Sequence, residues 1–307
     1  MPHLFFSGAP NSLSETDPRI MRHATWYRLL SCFSQYRNAA FSVSETTIQE
    51  TGGDCELMYD SGAFSAWSKG GEVDLDELCA TYDSLIKRYG ARCKKIWLIN
   101  LDKIPGSKGV SATAQELVEA MEISQRNYAV LVARFGECVL PVFHQDEPFS
   151  ELRSMTAPFI CVSPRNDLPE GQRRKWAVEA HTHIPEGQWT HGLAATGKHM
   201  MTQVPWRSVD SATWIFVGSA GGIFTDNLSV LSISKENTGA KTMDAHFDSL
   251  SPLDKRAMEE SIKSKGFIVD ELREAYQSRI VYNRIVQMQF TENAGAHKKR
   301  ALQETLF

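Results

Sequence analysis

Apolar residues recur along the chain in two alternating rhythms. Short apolar runs end in small or polar side chains, and longer stretches between them place apolar residues three and four positions apart. The short runs predict strands at residues 4–7, 57–60, 96–101, 139–144, 159–162, 189–194 and 214–217, with a further strand or hairpin over 228–233. The longer rhythm predicts helices over 75–89 and 114–135, with acids early and bases late as the helix dipole favours. A third predicted helix covers 170–181 and opens just after Pro169.

Strands that alternate with helices pair in parallel, either in an open doubly wound sheet or in a closed barrel. The polar positions favour the barrel. The predicted strands end in Asp60-Ser61-Gly62, Asn100-Leu101-Asp102, His144-Gln145-Asp146, Ser163-Pro164-Arg165 and His191-Gly192, and Val209-Asp210-Ser211 follows further on. Barrel enzymes gather their chemistry at the carboxyl ends of many strands, whereas a dinucleotide fold concentrates it at one switch point. The expected fold is therefore an α/β chain of the TIM (β/α)8 type, with a catalytic barrel over 1–251. The segment 252–307, with a helix over 268–289, reads as a helical extension packed on the barrel or as a small helical subdomain.

The chain has 307 residues, 42% hydrophobic and 23% charged, which suits one large folded core rather than bulk disorder. No apolar run reaches the roughly 18 residues that cross a bilayer, and the first residues lack a signal-peptide pattern, so the expectation is an intracellular protein without membrane contact. Cys32, Cys55, Cys79, Cys93, Cys138 and Cys161 are scattered, and no two are spaced as CxxC, which argues against a zinc ribbon, an iron–sulfur site or a redox pair. The net charge of −4 supplies no global basic field. Local basic runs at Arg92/Lys94/Lys95, Arg173/Arg174/Lys175 and His297/Lys298/Lys299/Arg300 read either as solvated faces or as backbone contacts to nucleic acid.

Two carboxylates stand out. Asp60 is followed by Ser61, Gly62 and Ala63, which let a ligand approach closely, and by Phe64 and Trp67, whose flat faces suit a planar ligand. Read from residues alone, Asp60 either caps the next segment or carries chemistry. Asp210 lies between Val209 and Trp214, near Arg207, and reads either as a shielded nucleophile beside a cation or as half of a structural ion pair. Two such carboxylates can share substitution at an acetal-like carbon, one attacking while the other moves the proton. The glycine-rich residues 218–222 read as a phosphate-binding loop or as a flexible turn.

The segments over roughly 55–215 resemble tRNA-guanine transglycosylases, and more closely the DpdA-type DNA 7-deazaguanine transglycosylases of phages and bacterial modification islands. Asp60-Ser61-Gly62-Ala63-Phe64 resembles that superfamily's Asp-Ser-Gly-Gly-aromatic motif, and Asp102 and Gln145 resemble its base-recognising residues. His191-Gly192 followed by Asp210 resembles its Met-Gly segment and downstream nucleophile, in the same chain order. The resemblance implies a glycosyltransferase acting on DNA in the cytoplasm of a bacterial or phage-infected cell. It would replace guanine by a 7-deazaguanine such as preQ0 through a covalent Asp–sugar intermediate. Asp210 would be the nucleophile and Asp60 the general acid/base, with Asp102 and Gln145 on the base edge and Phe64 on its face. Ser61, Ser163, His191 and Gly192 would complete the substrate site, and Arg173, Arg174, Lys175 and Arg207 would track the nucleic-acid backbone.

The chain also departs from that pattern. The tRNA enzymes carry a zinc site of three cysteines and a histidine after the nucleophile, but no cysteine follows Cys161 here, so no metal or other cofactor is expected. His181, His183, His191 and His199 lack regular ligand spacing. The backbone-reading glycine pair is replaced by Cys161-Val162-Ser163-Pro164, which implies altered base selectivity. The expected partners are DNA and a free 7-deazaguanine, and a homodimer is compatible with the resemblance. Rival readings are a tRNA-guanine transglycosylase-like enzyme, a carboxylate-pair glycoside hydrolase, and a non-catalytic barrel that binds nucleic acid.

Overall fold

The computed structural model describes residues 2–8, 16–20, 26–106, 110, 112–235 and 245–304, with side chains to residue 293. Its main sheet contains β1 (His3–Ser7), β2 (Trp26–Ser31), β3 (Cys55–Asp60), β4 (Lys95–Ile99), β5 (Val139–Leu140), β6 (Val142–His144), β7 (Phe159–Ser163), β8 (Trp189–Gly192) and β9 (Ser208–Ser211). The spatial order is β5-β4-β3-β2-β1-β9-β8-β7-β6. The registers from β1 through β5 and from β6 through β9 are parallel.

The two ends of that order meet at Pro141. Proline has no N–H to donate, so the ladder lapses there for one residue. The Leu140 carbonyl accepts from Asn100 N at 2.9 Å on one side, and the Pro141 carbonyl accepts from Cys161 N at 2.8 Å on the other. β5 and β6 are thus halves of one strand that joins β4 to β7, and nine segments make an eight-stranded barrel. The neighbours β1 and β9 also meet through His3 N and the Arg207 carbonyl, 3.0 Å apart. The α/β barrel expected from the sequence is the observed fold.

Inside the barrel, Phe5, Leu29, Met58, Ile99, Leu140, Val142, Phe159 and Cys161 form one buried cluster drawn from six of the eight strands. A packed interior of this kind leaves the strand ends, not a central pore, as the place for chemistry. Outside, the helices follow their sequence signals. Leu75–Tyr89 starts on Asp74, whose side chain accepts from Glu77 N, and Ala114–Phe135 opens with a reciprocal Thr113–Glu116 capping box. These two helices and Glu170–His181 have the bounds expected.

The chain divides into two compact units: residues 2–9 and 25–210, which hold the barrel strands up to Asp210, and residues 10–24 and 211–307. This division falls at Asp210, ahead of the 251/252 boundary read from the sequence. The second unit contains the helices Thr213–Ser219, Pro252–Ser264, Val269–Glu274 and Tyr276–Glu304, with the hairpin Gly222–Phe224 and Val230–Ser232. Within it, Asn283 accepts from Phe224 N at 2.7 Å, and Arg19 lies 3.7 Å from the Phe267 ring centroid. The basic run at 297–300 lies in the last helix, and its side chains are outside the described residues.

Residues 214–217 correct the sequence expectation: they lie in a helix, not a strand. A four-residue apolar run has no period to distinguish the two, and Ser211 Oγ accepts from Thr213 N at 3.0 Å to start the turn. The glycine-rich stretch is consequently a helix end leading into the hairpin. A Cβ on Gly218 would meet Ile280 N at 3.0 Å, and its carbonyl accepts from Arg279 Nε at 2.8 Å. The residue serves close packing rather than a phosphate.

Candidate active site

Parallel strands deliver Ser7, Ser31, Asp60, His144, Ser163, Gly192 and Asp210 to one end of the barrel, with Asp102 just past β4. Three carboxylates converge there. Burial pushes up the thiol of Cys161, inside the barrel, and Asp210, Asp102 and Asp60 add to the effect in that order. The same three aspartates are coupled from the side of Asp60.

Asp60 keeps part of its surface accessible while its carboxyl lies deep in the barrel mouth. Desolvation is the largest influence on it, followed by the charges of Asp102 and Asp210, and together they push it up to about 7. The Gly62 N–H, 3.1 Å from Oδ2, and the Ser31 hydroxyl oppose this less strongly. A carboxyl so placed exchanges its proton near neutrality, which is what a general acid/base requires. Gly62 makes the turn with φ +90°, and a Cβ there would stand 2.7 Å from Phe33 Cβ. Ser61 is fully buried, and its hydroxyl accepts from Ala63 N at 3.3 Å, so it starts the following helix rather than facing a ligand.

Asp210 is surrounded by donors. Its Oδ1 accepts from Ala194 N at 3.0 Å and lies 3.2 Å from His191 Nε2, while its Oδ2 accepts from the Ser7 hydroxyl. Ala194 takes a left-handed φ of +50°, uncommon for a residue with a Cβ, and this turn aims its N–H at the carboxylate. Arg207 is not the cationic neighbour expected. It precedes β9, at the amino end of the barrel, with its guanidinium 4.5 Å from the Trp189 ring centroid. Strand direction separates the two: three residues along an extended chain span about 10 Å.

Asp102 is buried and paired. His144 Nε2 is 2.7 Å from its Oδ2, and Glu147 Oε2 accepts from His144 N at 3.2 Å. Burial works against the imidazolium, but the Asp102 hydrogen bond and charge, with Glu147, outweigh it and raise His144 above its ordinary value. Glu147 is buried, and burial pushes its carboxyl up.

Beside this pair opens a cavity of about 250 Å³. Phe64 and Trp67 form one wall, Ile104 and Pro105 another, and His144, Gln145 and Ser163 the side nearest the carboxylates. Phe64 is half-exposed, 5.7 Å from the Trp67 ring, and Trp67 is fixed by Nε1 on the Gly106 carbonyl at 3.0 Å. Gln145 Oε1 accepts from Arg165 N at 3.0 Å, which holds its amide in the cavity lining. Arg165 is itself held by Asp146 and Asp167. An aromatic wall facing amide and carboxylate groups suits a planar, hydrogen-bonding ligand.

The remaining expected residues sit elsewhere or act differently. His191 is fully buried behind Asp210, and Gly192 is packed so that a Cβ would lie 3.0 Å from the Trp206 ring. Arg173 bonds Asn166 and the Ala194 carbonyl, Arg174 bonds Gln203, and Lys175 is exposed. His181 bonds Thr190, His183 stacks on Phe149, and His199 meets Gln203, so the four histidines do not converge. Among the described residues, no three His, Cys, Asp or Glu side chains are grouped to hold a metal ion, and the donor set of the tRNA enzymes' zinc site does not fit this chain. Ser7, Glu147, Ser208 and the Ala194 N–H were not expected. Ser7 ends an apolar run just as Asp60 does, and that signal was legible.

Neither the protein-family models nor the curated proteins match this chain.

Proposed function

We propose that this barrel is a DNA base-exchange transglycosylase that replaces guanine with a 7-deazaguanine of the preQ0 type. The observation that carries the reading is the pairing of unlike carboxyls at one barrel mouth: Asp60 is poised near 7, and Asp210 is ringed by three donors. Unlike environments divide acid/base and nucleophile roles between two similar groups.

In the first half-reaction an oxygen of Asp210 attacks C1′ of the target nucleotide. The C1′–N9 bond breaks, its electron pair leaves with guanine, and the proton from the Asp60 carboxyl neutralises the departing base. The sugar stays on the enzyme as an ester, and the DNA chain is not cut. In the second half-reaction the incoming deazaguanine gives its N9 proton to Asp60 and attacks C1′, returning Asp210 to its carboxylate form. The cavity beside Asp102 supports this economy. Phe64 offers a face for the base and the Gln145 amide partners its edge, with Asp102 paired to the His144 that lines the same cavity. A base reaches such a site only after leaving the duplex stack.

DNA is preferred over tRNA on the overall resemblance and on the lack of any cysteine after Cys161. The test is incubation with DNA and isotope-labelled deazaguanine, followed by nucleoside analysis. Labelled base should enter DNA with the wild-type protein and not with Asp210→Ala or Asp60→Ala. Incorporation by Asp210→Asn at the wild-type rate would defeat the mechanism. Base release without incorporation would identify a hydrolase instead.

A further inference from the structure

The least accessible polar group of the site is an imidazole. His191 is fully buried, so it meets no substrate, yet both its ring nitrogens are engaged. Nδ1 lies 2.7 Å from Ser208 Oγ, and Nε2 lies 3.2 Å from Asp210 Oδ1. The ring stands edge-on to Phe5 at 5.6 Å and to Phe159 at 6.4 Å, which blocks its rotation. Ser208 is itself buried at the start of β9.

We propose that His191 is a positioning residue for Asp210 and that Ser208 sets its tautomer. This rests on the reading of Asp210 as the nucleophile. A carboxylate can only accept, so Nε2 carries the hydrogen. In a neutral ring Nδ1 is then the acceptor, and the Ser208 hydroxyl donates to it. The chain Ser208–His191–Asp210 looks like a hydrolase triad but runs on the opposite ring nitrogens, and its serine is sealed from substrate. It delivers a fixed N–H to Oδ1. With the Ala194 N–H on the same atom, Oδ1 accepts two bonds and Oδ2 one, from Ser7. Oδ2 is therefore the less engaged oxygen and the one that attacks C1′. A misplaced carboxylate loses the alignment on which such a displacement depends.

Two arms test this. In the first, ¹⁵N NMR of the wild-type protein reads the His191 tautomer without any turnover, and a protonated Nε2 with a bare Nδ1 is expected. In the second, single-turnover formation of the covalent DNA adduct is followed at saturating DNA. His191→Phe should slow it about 100-fold, with little change in the DNA concentration for half-saturation. His191→Gln, whose amide N–H can stand where Nε2–H stands, should recover it to within about tenfold of wild type. Ser208→Ala should give an intermediate loss and a mixed tautomer. A protonated Nδ1 in the wild-type protein, or a wild-type adduct rate in His191→Phe, would overturn the proposal. Were the wild-type protein to form no adduct at all, the exchange reading would fall, and the NMR arm would still decide the tautomer.

Discussion

Asp102 and His144, 42 positions apart in sequence, meet at 2.7 Å inside the barrel mouth, and both are buried. The contact joins a carboxylate expected to read a base edge to an imidazole that lines the cavity beside it. Whatever binds there meets a hydrogen-bonded acid–imidazole pair and not a lone acid.

That pair makes a pH-dependent contribution to stability. His144 is raised above its unfolded value, so the contribution is complete below about pH 6.5 and is lost as pH rises through the folded value. Asp102→Asn removes the counter-charge and should cost about 1–3 kcal/mol at pH 5.5, and less at pH 8.5. Urea denaturation at the two pH values measures it. Equal losses at both would mean that the imidazole is neutral in the folded protein.

Gly62 should tolerate no side chain. Its φ is +90°, and a Cβ would lie 2.7 Å from Phe33 Cβ and 2.9 Å from the Phe33 backbone, which has little room to move. Gly62→Ala is expected to destabilise the protein by about 2 kcal/mol or more, and to loosen the N–H that Asp60 accepts. Thermal or chemical denaturation reads the first effect. A variant as stable as wild type would show that the turn after β3 is free to rearrange.

Much of the barrel was legible in the chain because its signals are local. The bounds of Leu75–Tyr89 and Ala114–Phe135 follow from capping residues and periodic apolar positions within the helices themselves. Strand β2 was missed because Arg28 interrupts its apolar run, yet Arg28 is fully buried and donates to the Gly8 carbonyl at 2.6 Å. Sequence pattern treats a charge as a surface mark, while here tertiary hydrogen bonding overrides it. At the site, Asp60, Asp102 and Asp210 each follow an apolar run, and the structure brings the three to one barrel mouth. The sequence pattern could not reveal that His144 pairs with Asp102, or that His191 stands behind Asp210, because inward and sideways directions are set by neighbouring strands.

The basic run at 173–175 divides in the structure. Arg173 holds the Ala194 carbonyl at 2.9 Å, on the residue whose N–H reaches Asp210, whereas Lys175 is exposed. If DNA is the substrate, Arg173→Ala should slow adduct formation about tenfold through the loosened loop and leave the salt dependence of binding unchanged. Lys175→Ala should reduce that salt slope by about one phosphate contact if the helix faces DNA. Fluorescence anisotropy across a salt series separates the two. A reduced slope for Arg173→Ala would place its guanidinium on phosphate instead.

Asp60 gives the sharpest test, because stability and catalysis must respond to the same titration. Its folded value is about 7 against 3.8 for the free group, so the native state binds the extra proton between these limits. Stability should therefore fall as pH rises from about 4 to 7 and then level off. A shift of this size bounds the penalty at about 4 kcal/mol, and partial access to water reduces it to about 1–2 kcal/mol. Asp60→Asn should flatten that slope and exceed the wild type in stability at pH 8, while losing base exchange. In the wild type, the first half-reaction should slow as pH rises past about 7, since only the protonated carboxyl can serve the leaving base. Denaturation and single-turnover rates measured over one pH series check both effects together. A rate that falls near pH 7 while stability stays flat would assign the titration to another group.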